Sequence, residues 1–218
     1  MRASSTVRRT VRIGLGVAGA AVAARLWRAY TTPFPFALRR WISVETPGLS
    51  SERLRSLLEP QPGERMLEIG PGIGLYSLPA AQWLGPTGTL EVVDLQQEML
   101  DETLRRARED GIANLKPRRA DAQQLPFADH VFDGAFVVTA LGEIPDQEAA
   151  LRELRRVLKP TGRLVVGELV IDLHGIRLSV LQARAQRCGL RHERSLGRGL
   201  AYFARFRPDA TEPAAARW

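Results

Sequence analysis

Residues 66–74 read MLEIGPGIG, and this stretch decides the fold. The residues before the glycines predict a buried strand, Arg65–Ile69, and a helix is predicted to follow over Ile73–Leu84. Glycine permits a tight turn and lets the backbone approach a ligand closely. The amide groups at the start of the helix would then face an anion or a carboxylate. We therefore predict a ligand-binding turn formed by Gly70, Gly72 and Gly74.

Strand and helix patterns alternate along the chain on both sides of this turn. Further strands are predicted at Thr89–Val93, Leu115–Arg119, Phe132–Val138, Arg163–Val170, Leu190–Ser195 and Leu200–Phe206. The other helices are predicted at Leu49–Glu59, at Gln96–Asp110, after the cap residue Asp146, and from Ile176 to Gly189. This alternation predicts an α/β fold with a doubly wound, mostly parallel sheet and an antiparallel closing pair of strands. Ligands of such sheets bind at the carboxyl ends of the strands.

The charge of the chain is concentrated at its N-terminus. Residues 1–44 contain eight arginines and no acidic residue, whereas the remainder holds 23 basic and 24 acidic residues. A folded domain that binds nucleic acid would need an excess of basic residues of its own, and the chain after residue 44 has none. We therefore exclude a nucleic-acid partner. One Cys and three His leave no multi-cysteine metal site, and we predict no metal. We interpret Cys188 as a packed thiol.

We divide the chain into a basic N-terminal segment (1–44), one globular domain (45–208) and a flexible tail (209–218). The uncharged run Ile13–Ala24 is too short for the roughly 20 residues of a membrane-spanning helix. The segment 1–44 could be a membrane-contacting helix, a solvated or domain-packed helix, a cleaved signal peptide, or the product of a mis-assigned start codon. We expect a cytoplasmic protein, with peripheral contact at the cytoplasmic face of a membrane as the role of residues 1–44.

Two aspartates follow the second and third predicted strands. Asp94 lies about twenty residues beyond the glycines, where an acid accepts hydrogen bonds from the two hydroxyls of a ribose. Asp121 could accept a hydrogen bond from the amino group of an adenine, or could cap a turn. The dinucleotide-binding pattern requires a glycine where this chain has Leu75, which disfavours a nicotinamide or flavin oxidoreductase.

Four stretches together resemble the class I S-adenosylmethionine-dependent methyltransferases, in the small-molecule group that includes the quinone-biosynthesis C-methyltransferases. They are MLEIGPGIG, VVDLQQEML, ADAQQLPFADHVFDGAFVVTALGEIPD and LRELRRVLKPTGRLVV. The resemblance implies a Rossmann-like sheet of seven strands, S-adenosylmethionine as cofactor, and methyl transfer to a small-molecule acceptor that is lipid- or quinone-like. The Asn/Asp-Pro-Pro-aromatic run of nucleobase amino methylases is absent after the fourth predicted strand.

The resemblance also implies roles for individual residues. Glu68 and the three glycines would hold the methionine end of the cofactor, and Asp94 would bind its ribose. Asp121 and Ala122 would contact the adenine, and Thr139 would line the wall near the sulfonium.

The residue that acts on the acceptor is left open by the sequence. The candidates are Glu168, His174, Glu143, Tyr76 and Asp172. We prefer Glu168, because an unpaired carboxylate near the end of a buried strand is costly. His174 is either a substrate contact or an exposed loop histidine. The rival function is a scaffold or assembly factor that binds the cofactor without turnover, and the sequence gives no oligomeric state.

Overall fold

The computed structural model describes residues 35–37, 45–172, 174–197 and 199–209. The predictions for the N-terminal segment and for the tail beyond Asp209 lie outside these residues. Within them, the backbone amide of Asp209 donates to the carbonyl of Gly189 at 2.8 Å. The first residue of the predicted tail is therefore attached to the domain.

Strands and helices alternate through the domain as the sequence predicts. The strands are β1 Arg65–Ile69, β2 Thr89–Asp94, β3 Leu115–Arg119, β4 Phe132–Val138, β5 Leu158–Leu169, β6 Leu190–Leu196 and β7 Ala201–Pro208. The helices are α1 Ser51–Leu58, α2 Ser77–Trp83, α3 Gln97–Glu109, α4 Gln147–Val157 and α5 Leu178–Arg187, with a 3₁₀ turn at Leu141–Glu143.

The seven strands form one sheet in the order β3-β2-β1-β4-β5-β7-β6. Strands β1 to β5 pair in parallel, and β7 runs antiparallel between β5 and β6. The predicted α/β fold, its doubly wound parallel sheet and its antiparallel strand are thus confirmed. Strand order reverses between β1 and β4, which is the place where such sheets bind ligands.

Side chains of alternating strand positions pack on opposite faces of the sheet. Met66 packs with the core of α1, α2 and α3, whereas its neighbour Leu67 packs with the core of α4 and α5. The apolar side chains of the middle strands are buried on both faces of the sheet, which is the pattern of a parallel sheet covered on both sides. Glu68 therefore faces α2, and Glu168 faces the α4 and α5 side with Val166.

Two elements differ from their predicted bounds for local reasons. The helix predicted from Ile73 begins at Ser77, because residues 72–76 form turns. Pro79 thus falls in the first turn of α2, where a missing amide costs no helical hydrogen bond and no bend is needed. The strand predicted from Arg163 begins at Leu158, but the pairing of β5 with β4 skips from Leu158 to Arg163, so residues 159–162 bulge out of the ladder.

The sheet has two chemically different edges. We call the carboxyl edge the one at which β1, β2, β4 and β5 end, where β6 also ends and β7 begins. The amino edge is the opposite one. No helix of the described residues is long and apolar enough to cross a bilayer.

Candidate functional site

The glycine turn lies at the carboxyl edge, directly after β1. Gly70, Gly72 and Gly74 all have positive φ, at 67°, 56° and 88°. A Cβ on Gly70 would lie 2.5 Å from the Cβ of Ala140, so the turn packs closely against the chain that follows β4. Thr103 of α3 supports the turn by donating its hydroxyl to the carbonyl of Gly72 at 3.1 Å.

Glu68 lies in β1 beneath this turn and is 2% exposed. Its Oε2 accepts a short hydrogen bond from the hydroxyl of Ser77, the first residue of α2. Burial, with the charge of Asp94 nearby, raises the pKa of Glu68 to about 8. No cation among the described residues pairs with it, so a cationic ligand group would find an uncompensated acid here.

Asp94 ends β2 on the neighbouring side of the glycine turn. Its Oδ1 accepts from the amide of Gln96 at 2.9 Å, which fixes the carboxyl group at the edge. Burial raises the pKa of Asp94 to about 6. At neutral pH the group is mostly ionised, and a carboxylate of this kind can accept hydrogen bonds from hydroxyl groups.

Asp121 follows β3 and is held by its own turn. Its Oδ1 accepts from the backbone amide of Gln123 at 2.8 Å, and the side-chain amide of Gln123 also donates to both oxygens. The turn-capping alternative is therefore realised here. Ala122 is buried beside it in the core that contains Val93. An adenine at this place would have to share the Asp121 carboxylate with Gln123.

Thr139 leaves β4 in the left-handed region, with φ 54°. Its amide donates to the carbonyl of Gly167 in β5 at 2.8 Å, and its hydroxyl donates to the carbonyl of Val138. Such a conformation costs on the order of 1 kcal/mol or more for a β-branched residue. It turns the chain so that Ala140 meets Gly70, which brings the ends of β1 and β4 together.

Glu168 lies one residue before the end of β5 and is 2% exposed. Its Oε2 accepts from the amide of Ile176 at 3.4 Å, while its Oε1 has no hydrogen-bond partner among the described residues. Burial, together with the charges of Asp172 and Glu143, raises the pKa of Glu168 to about 8. This is a buried proton-binding group with one free oxygen.

The other acceptor-side candidates surround Glu168. Asp172 caps its own loop, since its Oδ1 accepts from the amide of His174 at 3.0 Å. The side chain of His174 is only 11% exposed, so the exposed-loop interpretation of this residue is wrong. The loop is pressed onto the 3₁₀ turn, because a Cβ on Gly142 would lie 1.9 Å from the carbonyl oxygen of His174. Glu143 directly follows Gly142 in this 3₁₀ turn.

Tyr76 lies at the start of α2, but its hydroxyl has a structural partner. It donates to the backbone carbonyl of Leu49 at 2.6 Å in a buried position. Burial raises the pKa of Tyr76 above its ordinary value. The structure thus gives this candidate a role in holding residues 45–49 against the carboxyl edge.

Several residues at the site were not found from the sequence. Ser77 and Thr103 hold Glu68 and the glycine turn, and Tyr202 lies opposite Glu168 in the β5–β7 pair. Tyr202 donates its hydroxyl to the carbonyl of Ile176 at 2.9 Å. A hydroxyl residue opening a helix signals Ser77, but only strand register could reveal Tyr202.

The donor set fits a cationic nucleoside ligand better than a metal. Glu68 and Asp94 flank the glycine turn, and neither has a cationic partner among the described residues. The described ranges contain no group of three or more metal-ligating side chains. Cys188 is buried at 4% exposure, as predicted for a packed thiol.

Both the sequence and the fold are similar to those of S-adenosylmethionine-dependent methyltransferases. A family model described as a methyltransferase domain matches residues 67–166. UbiE of Ectopseudomonas mendocina, a ubiquinone/menaquinone biosynthesis C-methyltransferase, is 39% identical over 109 residues, which cover 50% of this chain and 43% of that protein. The matched part of the chain thus spans less than half the length of this curated relative.

Solved structures agree with the sequence comparison. A methyltransferase from Aquifex aeolicus superposes with a TM-score of 0.74 at 18% identity, covering 80% of this chain and 99% of its own. The cyclase SpnF superposes with a TM-score of 0.60 at 25% identity, covering 66% of this chain and 57% of its own. Residues 67–166 thus match a methyltransferase domain, and the fold of the described residues is similar to that of solved methyltransferases.

Proposed function

We propose that this protein transfers the methyl group of S-adenosylmethionine to a small, quinone-like acceptor. The observation that carries the proposal is that the buried Glu68 and the half-buried Asp94 flank the glycine turn with no cationic partner among the described residues. Bound S-adenosylmethionine supplies a methyl group that is already activated by its sulfonium. The acceptor class rests on the likeness to UbiE, a C-methyltransferase of quinone biosynthesis.

The residues of the carboxyl edge divide the binding work. Glu68 and the amides of the glycine turn hold the amino-acid end of the cofactor, and Asp94 accepts hydrogen bonds from its ribose hydroxyls. Asp121 and Ala122 contact the adenine. Thr139 and Ala140 form the wall between cofactor and acceptor, since Ala140 already meets the turn at Gly70.

Glu168 is the acceptor-side base in this proposal. Methylation of a ring carbon replaces one hydrogen by the methyl group, so a proton must leave the acceptor. A base works best when its pKa lies near the operating pH, and burial raises the pKa of Glu168 to about 8. Its free Oε1 can take that proton, and Asp172 and His174 lie nearby.

The test is methyl transfer from labelled S-adenosylmethionine to reduced naphthoquinone and benzoquinone with short prenyl tails. We expect label in the organic phase, and a rate that rises with pH toward about pH 8 as Glu168 loses its proton. Glu168→Gln should lower the rate by about a hundredfold and remove this rise, while cofactor affinity stays unchanged.

Other outcomes would change the assignment. Label in the aqueous phase of a lysate would replace the quinone by a soluble metabolite. Cofactor binding without transfer to any lysate fraction would favour the scaffold, or a different chemistry on the same fold, as the cyclase SpnF indicates. A Glu168→Gln variant with a normal pH profile would remove Glu168 as the base. We place the reaction in the cytoplasm, where S-adenosylmethionine is made.

A further inference from the structure

The exposed large apolar side chains are confined to one edge of the domain. The described residues expose five of them, and all lie at the carboxyl edge: Leu95, Ile171, Val180, Leu196 and Leu200. Leu95 directly follows β2, and Leu196 ends β6. Val180 lies in the first turn of α5, which starts at this edge. The amino edge exposes no such side chain among the described residues.

Ile171 and Leu200 form the most exposed part of this group. They are 67% and 62% exposed, far above the other members. The amide of Val170 donates to the carbonyl of Leu200 at 2.7 Å, which places the loop after β5 beside the turn before β7. Two neighbouring loop tips therefore present large aliphatic side chains to solvent, at the same edge of the sheet as Glu168.

The described chain also enters the domain at this edge. A Cβ on Gly48 would lie 3.1 Å from the Cβ of Ala201, the first residue of β7. The carbonyl of Leu49 is held by Tyr76, at the start of α2. Residues 45–49 thus run along the carboxyl edge. The sequence that precedes them, residues 1–44, carries eight arginines and no acid.

We propose that Ile171 and Leu200 insert into an anionic lipid bilayer, so that the carboxyl edge and its site face the membrane. Aliphatic loop tips bind the interfacial layer, and the basic sequence of residues 1–44 is attracted to anionic lipid. A second copy of the chain fits this edge less well than a bilayer does. A stable protein interface needs roughly 20 residues on each side, whereas the exposed apolar group described above has five members.

The proposal goes beyond methyl transfer and does not depend on it. It also differs from contact through residues 1–44 alone, because it requires loop tips of the domain to enter the lipid. Ile171 and Leu200 follow β5 and precede β7, so they lie at least two strands away from β1 and the Glu68 that the proposed cofactor would contact.

A site-specific fluorescent label tests the insertion directly. Cys188 is buried, so Ile171→Cys provides a reactive thiol in the full chain. Ala113→Cys is the matched control, since Ala113 is exposed at the amino edge just before β3. The probes are vesicles of phosphatidylglycerol and phosphatidylcholine in equal parts, and vesicles of phosphatidylcholine alone.

We expect the label at position 171 to shift to the blue with anionic vesicles, while the label at position 113 stays unchanged. The double variant Ile171→Ser and Leu200→Ser should lower the vesicle partition coefficient by about tenfold. Ala113→Ser should leave it unchanged.

Three results would overturn the proposal. Vesicle binding with both labels unshifted would assign the contact to residues 1–44 alone. A lack of binding to anionic vesicles would exclude the bilayer as the partner of this edge. A blue shift at position 171 without vesicles, together with a doubled mass in solution, would identify a second copy as the occupant. None of these readouts uses turnover, so a failure of the proposed methyl transfer is recorded separately.

Discussion

Two buried glutamates on neighbouring strands differ in whether the protein supplies a cationic partner for them. Glu91 in β2 is 3% exposed and pairs with Arg65 at 2.9 Å. Glu68 in β1 is 2% exposed and has no cationic partner among the described residues. Toward the amino edge, acids are neutralised by the protein itself. At the carboxyl edge, Glu68, Asp94 and Glu168 have no cationic partner among the described residues.

The same contrast holds beyond this pair. Toward the amino edge, Arg163 holds Glu64, and Lys159 holds Asp133. The hydrogen bond from Arg205 lowers the pKa of Glu59. At the carboxyl edge, burial raises the pKa of Asp94 to about 6 and that of Glu168 to about 8. A folded domain can tolerate such acids where function requires them, and it gains its stability elsewhere.

The largest effect is expected from breaking the amino edge at Arg163. Its side chain is 9% exposed and donates to Glu64 and to the carbonyls of Leu58, Glu59 and Asp133. Arg163→Ala leaves a carboxylate and several carbonyls unpaired, so we expect a loss of about 3–5 kcal/mol in the free energy of unfolding. Urea denaturation measures it.

The control for this change is an exposed ion pair. Arg105 on α3 pairs with Glu102 and Glu109, but its side chain is 53% exposed. Arg105→Ala should leave the urea midpoint of unfolding close to that of the wild type. Similar losses in the two variants would contradict the assignment of stability to the buried network.

The next largest effect is the pH dependence contributed by Glu168. Its pKa is about 8 in the folded chain against an ordinary value of 4.5, so the folded state holds the proton more tightly. The free energy of unfolding should therefore fall as pH rises through this window. Between about pH 6 and about pH 8, Glu168→Gln should remove about 2 kcal/mol of that fall.

Glu59→Gln is the contrasting variant at the other edge. Arg205 lowers the pKa of Glu59, so its contribution to stability is present above the ordinary value of 4.5 and is lost on acidification. This variant should alter the acid limb of the stability curve and leave the alkaline limb unchanged.

The result that would contradict the prediction for Glu168 is a pair of parallel curves. If the unfolding free energies of wild type and Glu168→Gln change with pH in the same way, Glu168 ionises in the folded state without a penalty.

A third, smaller effect concerns the ligand rather than the fold. Asp94→Ala should weaken S-adenosylmethionine binding by at least about tenfold, which corresponds to about 1.4 kcal/mol, and should leave the protein folded. Titration calorimetry gives the affinity. Glu98→Ala changes an exposed acid four residues later and should bind normally. Normal affinity in a folded Asp94→Ala protein would remove Asp94 from the cofactor site.

The smallest effect is expected from an exposed ion pair at the amino edge, for comparison with the buried pairs of the same edge. Arg194 pairs with Glu59, but both side chains are about half exposed. Arg194→Ala should cost less than about 0.5 kcal/mol, since the buried Arg205 still holds Glu59. A loss near that of Arg163→Ala would mean that exposed pairs also stabilise this edge.

The elements that were predicted well are those with a strong local signal. The period of apolar residues gave the parallel strands and α3, and the glycines placed the turn after β1. The bulge in β5 and the late start of α2 were missed because they depend on pairing and on the turn geometry at 72–76. The placement of Tyr202 opposite Glu168 likewise follows from β5–β7 register, which no local pattern contains.

The sequence by itself determined the alternating α/β order, the glycine turn, and the aspartates at the ends of β2 and β3, because each is encoded in a few adjacent residues. Tertiary structure decided which acids keep a cation and which remain buried without one. It also gathered Ile171 and Leu200 at one edge and covered His174. The reason is that burial and ion pairing depend on neighbours far apart in the chain, such as Arg163 and Glu64, and only the packed sheet brings these together.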